Sequence, residues 1–184
     1  MKPTEELISE HNAVLVALQI LEKIEKGLAA GGADAPEHLN QLIDFFGGFV
    51  DRCHHAKEEG ALFPELEKCG VKREGGPIGV MLAEHEAGRG LVREMSDGLA
   101  RLRRGDQNAS NGIRETAIGY RDLLSAHIHK ENTVLFPMAD RLLSDDTAGK
   151  VVGRFEEIEL NRVGPGKHEA HHDMLHRLKD IYRV

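Results

Sequence analysis

The chain has no tryptophan, only two tyrosines and only six phenylalanines in 184 residues. With so few aromatics, and with alanine, leucine, glutamate and arginine plentiful, the composition favours helix over sheet. No excess of positive charge is present. The formal net charge of -7 argues against nucleic acid or an anionic membrane as the main partner. The one tight basic cluster, Arg101-Leu-Arg-Arg104, falls where a helix should end and complements the helix dipole there. No apolar run approaches the ~20 residues needed to span a bilayer. Met1-Lys-Pro-Thr-Glu does not read as a signal peptide, so the expected location is cytoplasmic. Cysteine is scarce too. Cys53 and Cys69 stand 16 apart on what reads as one helix, roughly 24 Å at ~1.5 Å per residue, too far to bridge. Neither belongs to a CxxC motif, and both read as buried or half-buried thiols.

What is present is a repeat. HHAKEEGALFP, from His54 to Pro64, recurs as HIHKENTVLFP, from His127 to Pro137. Superposed, the copies share His, three residues, Glu, three residues and Leu-Phe-Pro. His54 thus matches His127 and Glu58 matches Glu131, whereas His55 and Glu59 match Ile128 and Asn132. A histidine and a carboxylate four apart share one helix face, a spacing that suits two donors to one metal centre. A second repeat supplies partners: Glu10-His11 lies 43 residues before His54, and Glu84-His85 lies 42 before His127. The duplicated unit is helix, loop, helix, with one histidine on the first helix and HxxxE on the second.

Taken in order, helix one should run from Thr4, an expected N-cap, to Ala30, with Leu7, His11, Val14, Leu18, Leu21 and Leu28 on its apolar stripe. Helix two should run from Asp34 to about Cys69, with Ile43, Gly47, Val50, His54, Glu58 and Ala61 inward and a kink at Pro64. Helix three carries Ile78, Met81 or Leu82, His85, Gly88, Val92, Met95, Leu99 and Leu102. Gly88 and Gly90 there suggest close approach of another helix. After a loop over Gly105 to Asn111, helix four aligns Tyr120, Leu124, His127, Glu131, Val134 and Met138, with Pro137 repeating the kink. The expected fold is all-α, an antiparallel up-down four-helix bundle over residues 1–143. Residues 144–184 form a C-terminal helical appendage packing on it: Ser144 caps a fifth helix through Phe155 and Ile158, and Gly164-Pro-Gly precedes a sixth. The matched distances from the turns bring all four histidines and both glutamates into one layer.

Burying so many ionisable groups is costly unless they are paired or coordinated. A metal accepts neutral imidazole and ionised carboxylate together. Six donors exceed a tetrahedral site, so the layer reads as built for two cations, with Glu58 and Glu131 bridging and two histidines on each ion.

This arrangement of single His and HxxxE before LFP, twice over, resembles the hemerythrin-like HHE cation-binding family across roughly Glu6 to Asp140. The resemblance implies a four-helix bundle holding two non-haem iron ions, carboxylate-bridged, with His11, His54, Glu58, His85, His127 and Glu131 as ligands. Ligand type alone also permits manganese or zinc. Oxygen-carrying hemerythrins show HxxxH on the third helix and HxxxxD on the fourth; here Arg89 follows His85 by four and the fourth helix has HxxxE. Fewer protein donors leave positions for water, oxygen, peroxide or nitric oxide, which favours redox or small-gas chemistry over oxygen carriage. The pattern looks closer to HHE proteins linked to repair of iron–sulfur centres and nitric oxide stress. The expected function is therefore binding of, or reaction with, O2, peroxide or NO at open positions. A non-catalytic iron or oxygen sensor, or metal-holding module, is the alternative, and a plain structural bundle is remote. Ferritin-like sites need Glu-x-x-His on two helices, and only Glu169 to His172 offers it.

Several residues invite a lesser reading. His55 is placed beside the ligands or at the surface, His129 outward, and Tyr120 in the core. The His168, His171, His172 and His176 group is read as a solvated helix packing over the bundle, with a second metal site as the sharper alternative.

Overall fold

The structure is a computed structural model describing residues 2–164 and 166–184. Met1, and Pro165 of the Gly164-Pro-Gly break, lie outside the described residues. The chain is all-helical, with no strand among the described residues. The α-helices are α1 (Pro3–Ala29), α2 (Ala35–Phe45), α3 (Phe63–Lys68), α4 (Pro77–Arg103), α5 (Ala109–Lys130), α6 (Phe136–Leu142), α7 (Asp145–Ile158) and α8 (Lys167–Tyr182). Stretches of π-helix at Phe46–His55, Glu58–Leu62, Glu131–Leu135 and Glu159–Val163 join or extend them.

Side-chain pairs run in opposite order along neighbouring helices. Glu25 meets Arg114 near one end of α1 and α5, and His11 meets Asn132 near the other. Arg103 at the end of α4 bonds Glu37 at the start of α2, while His85 near the start of α4 bonds Glu59. The histidine layer therefore sits at one level between two apolar regions. Phe45, Phe46, Phe49, Ile20, Leu21 and Tyr120 belong to the larger one, and Leu7, Phe63, Ile78, Phe136 and Phe155 to the smaller.

Local differences from the sequence reading have physical causes. Thr4 is not the N-cap of α1: Lys2 is, Pro3 takes the first helical position, and the Thr4 hydroxyl donates to Asp140 at 2.6 Å. Pro64 and Pro137 lack the N–H that the carbonyl four residues back would accept, and in both copies the disturbance takes the form of a π turn. A π turn adds a residue per turn and shifts the inward face by one. Val134, expected inside, is accordingly 52% exposed, and Leu135 is buried in its place. The longer π stretch after Phe45 does the same to the second helix: Ile43 and Gly47 sit at the edge of the buried face, which centres on Leu42, Phe45, Phe46 and Phe49. Gly88 does meet another helix closely, since a Cβ there would stand 3.6 Å from the Tyr120 ring, but Gly90 faces only Arg93. Ser144 caps α7 as expected, accepting from the Thr147 N–H. Cys53 is buried and Cys69 exposed, so the reading of Cys69 as half-buried was too deep. α8 packs against α1 and α2, and its Met174, Leu175 and Leu178 join the larger core.

Candidate metal centre

The structure brings all six sequence-predicted residues together, each buried to within 2% of complete. The histidines converge in pairs through their Nε2 atoms. His11 and His54 approach to 3.0 Å, and His85 and His127 to 3.2 Å. The two glutamates lie between the pairs. Glu58 places Oε1 3.6 Å from His54 Nε2 and Oε2 3.4 Å from His85 Nε2. Glu131 places Oε2 3.2 Å from His11 Nε2 and 3.3 Å from His127 Nε2. Each carboxylate thus faces one histidine of each pair, as a bridge between two ions requires.

At the outer side of every ring an acceptor meets Nδ1: Asn132 for His11 at 2.8 Å, Glu10 for His54 at 2.7 Å, Glu59 for His85 at 2.7 Å and Glu84 for His127 at 3.0 Å. These partners were not singled out as functional from the sequence, yet the repeat contained the signal. Glu10 and Glu84 are the matched residues preceding His11 and His85, and Glu59 and Asn132 are the matched residues following the two site glutamates. Lys57 and Lys130, also matched, bond Glu10 and Glu84 in turn. An acceptor on Nδ1 fixes the tautomer and leaves the Nε2 lone pair facing inward, the usual outer support of a metal-binding histidine. Phe136 stacks on His11 at 5.4 Å between centroids, and Phe63 on His85 at 6.0 Å, so the LFP motif holds the rings of the first and third long helices.

The interior of the site lacks compensation. None of the four oxygens of Glu58 and Glu131 has a hydrogen-bond partner. Burial works against ionisation of both carboxyls, but His54 and His85 hold Glu58 well below the ordinary carboxylate range. Burial and the neighbouring Glu58 charge push Glu131 well above it. Burial drags His11 and His127 down to about 4, while at His85 it is outweighed by Glu58 and Glu59, which raise that ring to about 9. Proton sharing of this kind is what a buried donor set without a cation is left with. Cations would supply the missing partners to four carboxylate oxygens and four inward lone pairs together, so the residues fit a metal-binding role.

Two four-residue groups have ligand atoms close enough for one ion each: His11, His54, Glu58 and Glu131, and His55, Glu58, His85 and His127. A third, Glu10, Cys53 and Glu159, is filled by the Lys57 ammonium, which bonds both carboxylates. Of its two expected places, beside the ligands or at the surface, His55 takes the first: it is buried against His85, and the π stretch ending there turns it inward. His129 is exposed and Tyr120 is core, 4.7 Å from Phe46, as expected. His168 and His172 pack at 4.6 Å from each other against Phe49, and the described residues include no metal-binding group built on them.

A family model described as the hemerythrin HHE cation binding domain matches residues 2–139. Among curated proteins, the chain is 32% identical over 138 residues to an iron–sulfur cluster repair protein, YtfE, of Pectobacterium atrosepticum, covering 71% of this chain and 60% of that protein. To the protein of the same name in Yersinia pseudotuberculosis it is 36% identical over 119 residues, 63% of this chain and 48% of the other. An uncharacterized protein of Mycobacterium tuberculosis is 25% identical over 160 residues, covering 87% of this chain and 62% of that one. The chain spans about half to three fifths of the length of these relatives.

Proposed function

The chain belongs to the hemerythrin HHE cation-binding domain family, and from that premise we propose that it is a non-haem di-iron protein that binds or reacts with O2, peroxide or nitric oxide at open metal positions. His11 and His54 would hold one ion, His85 and His127 the other, with Glu58 and Glu131 bridging. The observation that carries this reading is the pairing of orphaned inner donors with satisfied outer ones: four carboxylate oxygens without partners inside, four Nδ1 atoms each on an acceptor outside. In the same reading residues 1–143 are an antiparallel up-down four-helix bundle, and residues 144–184 an appendage docked on it. Iron is preferred to manganese or zinc on family grounds.

When bound, two irons supply Lewis-acid and redox chemistry to a small molecule at positions the protein donors leave open. The residues of the chain do the rest. Glu10, Glu59, Glu84 and Asn132 orient the rings, and the acidic pair neutralises cationic charge. The apolar side chains above and below the layer, Phe63, Phe136, Phe46 and Tyr120, keep bulk water out. No helix among the described residues is long and apolar enough to cross a membrane, in keeping with the cytoplasmic setting we assign. A redox or stress role of this kind is in keeping with relatives that are named iron–sulfur cluster repair proteins.

A second reading, a metal-holding or sensor module, has one observation in its favour. Glu159, beyond α7, bonds Lys57 at 3.1 Å, Lys57 bonds Glu10 at 2.6 Å, and Glu10 bonds His54. Ligation at His54 is thereby tied to docking of the C-terminal segment.

Metal analysis and an optical spectrum of protein purified in air test the main reading. About two irons per chain with near-ultraviolet ligand-to-metal absorption are expected, followed by rapid spectral change when the reduced protein meets nitric oxide or O2. Metal-free protein, colourless zinc protein, or reduced protein that is optically silent to these gases overturns it.

A further inference from the structure

The duplicated donor set is complete without His55, and the matched position in the second copy is Ile128, a buried apolar residue. Yet His55 is 4% exposed and neither ring nitrogen has a hydrogen-bond partner. Asp51 is its nearest carboxylate, 3.7 Å from Nδ1, and it is held by Arg89 at 2.7 Å instead. A buried imidazole without partners is uncommon enough to require a cause.

Direct ligation is one cause, and the ring geometry speaks against it. His55 lies face to face with His85, centroids 3.8 Å apart and planes 14° from parallel. The lone pairs of stacked rings lie in parallel planes that do not meet. Although a nitrogen of His55 falls within the same four-residue group as His85, an ion in the plane of the His85 ring lies well out of the plane of the His55 ring, a poor direction for an imidazole lone pair. The ring instead forms part of the wall of a cavity of about 200 Å³, reached also by His85 and His127. Phe46, Val50, Gly88, Val92, Tyr120 and Leu124 give the wall an apolar stretch, and Asp51, Glu84, Arg89 and Arg93 also line it. Arg89 is bonded to Asp51 and Glu59, and Glu84 to His127 and Lys130, so what the cavity offers a newcomer is chiefly its apolar stretch, which admits a small uncharged molecule without desolvating a charge.

We propose that His55 is the hydrogen-bonding partner of a small neutral diatomic molecule that enters through this cavity and meets the centre at its His85 and His127 end. The inference rests on the di-iron reading and deepens it. An imidazole always carries an N–H, and here it donates to the diatomic as a positioning group rather than a metal ligand. Gly47 belongs to the same wall, and a Cβ built there would meet nothing within 4 Å. A leucine at that position would start from an unobstructed Cβ and narrow the passage.

The test uses the iron-loaded, reduced full chain and nitric oxide, followed by rapid-mixing absorbance, with metal content measured in parallel. His55→Phe keeps the ring stack and removes the hydrogen bond. It is expected to leave iron content unchanged while nitric oxide dissociates about fivefold to tenfold faster, the value of one hydrogen bond. His55→Gln should restore most of the slow dissociation. Gly47→Leu should slow association several-fold at unchanged iron content. Loss of iron in His55→Phe would make His55 a ligand and overturn the proposal, as would dissociation at the wild-type rate or failure of glutamine to rescue. Wild-type association in Gly47→Leu would overturn the route. A wild-type chain that takes up no iron or no nitric oxide defeats the di-iron reading itself, whereas normal wild-type binding with an indifferent His55→Phe defeats this inference alone.

Discussion

The two copies of the repeat present the same donors under different covers. In each, an Nδ1-bound glutamate and a lysine stand behind the HxxxE histidine: Lys57, Glu10 and His54 in the first, Lys130, Glu84 and His127 in the second. A π turn begins at each glutamate ligand candidate, and an LFP phenylalanine braces a histidine of the other copy. The surroundings then diverge. Lys57 is 1% exposed, sealed by Glu6, Glu10 and Glu159 and lying 5.8 Å from the Phe155 ring, whereas Lys130 is 39% exposed with Glu84 as its carboxylate partner. The C-terminal helices close the first half, and the cavity with His55 opens beside the second. Duplication thus sets where the donors stand, and the added segment decides which side of them is covered.

The largest effect should come from the residues that join the halves. Glu58 and Glu131 each face a histidine of both pairs, so Glu58→Ala or Glu131→Ala should cost most of the bound metal at both positions. A histidine change such as His11→Ala should spare the opposite pair and retain about half. Metal-to-chain ratios after desalting decide the matter: equal, half-site losses for glutamate and histidine variants would show that the carboxylates do not bridge.

Next come the two lysines, matched in sequence and unlike in burial. Lys57→Met strands buried Glu10, and removal of one partner from a buried ion network typically costs about 3–5 kcal/mol. Lys130→Met, at a half-open site, should cost at most about 1 kcal/mol. Denaturant unfolding of both variants measures the difference, and equal losses would mean that the C-terminal cover contributes nothing to the first half.

Much of this was legible in the sequence because the repeat is legible. Identical spacing in two copies fixed which residues matter, and helix periodicity placed His11, His54, His85 and His127 inward at one level. The register beyond Glu131 was not legible. Val134 fits a 3.6-residue period, but the π turn imposed before Pro137 exchanges it with Leu135, and proline signals a disturbance without giving its form. For the same reason the sequence left His55 open between a place beside the ligands and the surface: an angle of 100° from His54 assumes a regular helix where the chain is π-helical, and the structure takes the first place. The outer partners Glu10, Glu59, Glu84 and Asn132 were in view as matched positions, but their role depends on which helix neighbours which. That knowledge resides in packing across helices, where Glu10 serves His54 and Glu59 serves His85, rather than in any one stretch of sequence.

The smallest expected effect is the one that separates cover from coupling. Glu159→Gln removes one of three carboxylates on Lys57 and leaves Glu6 and Glu10 in place, and Glu159 is itself partly solvent-exposed. The global stability loss should therefore stay below about 1 kcal/mol. Local opening of the segment after α7 is a different quantity, because Glu159 ties the π turn there to Lys57. Limited proteolysis should show faster cleavage between Ile158 and Lys167 in the variant than in the wild type. If iron at His54 steadies Glu10, and through it Lys57 and Glu159, loading the wild type should slow that cleavage while loading Glu159→Gln should not. Cleavage that ignores iron in both proteins would leave the C-terminal segment as a lid over the first half that carries no information about the metal.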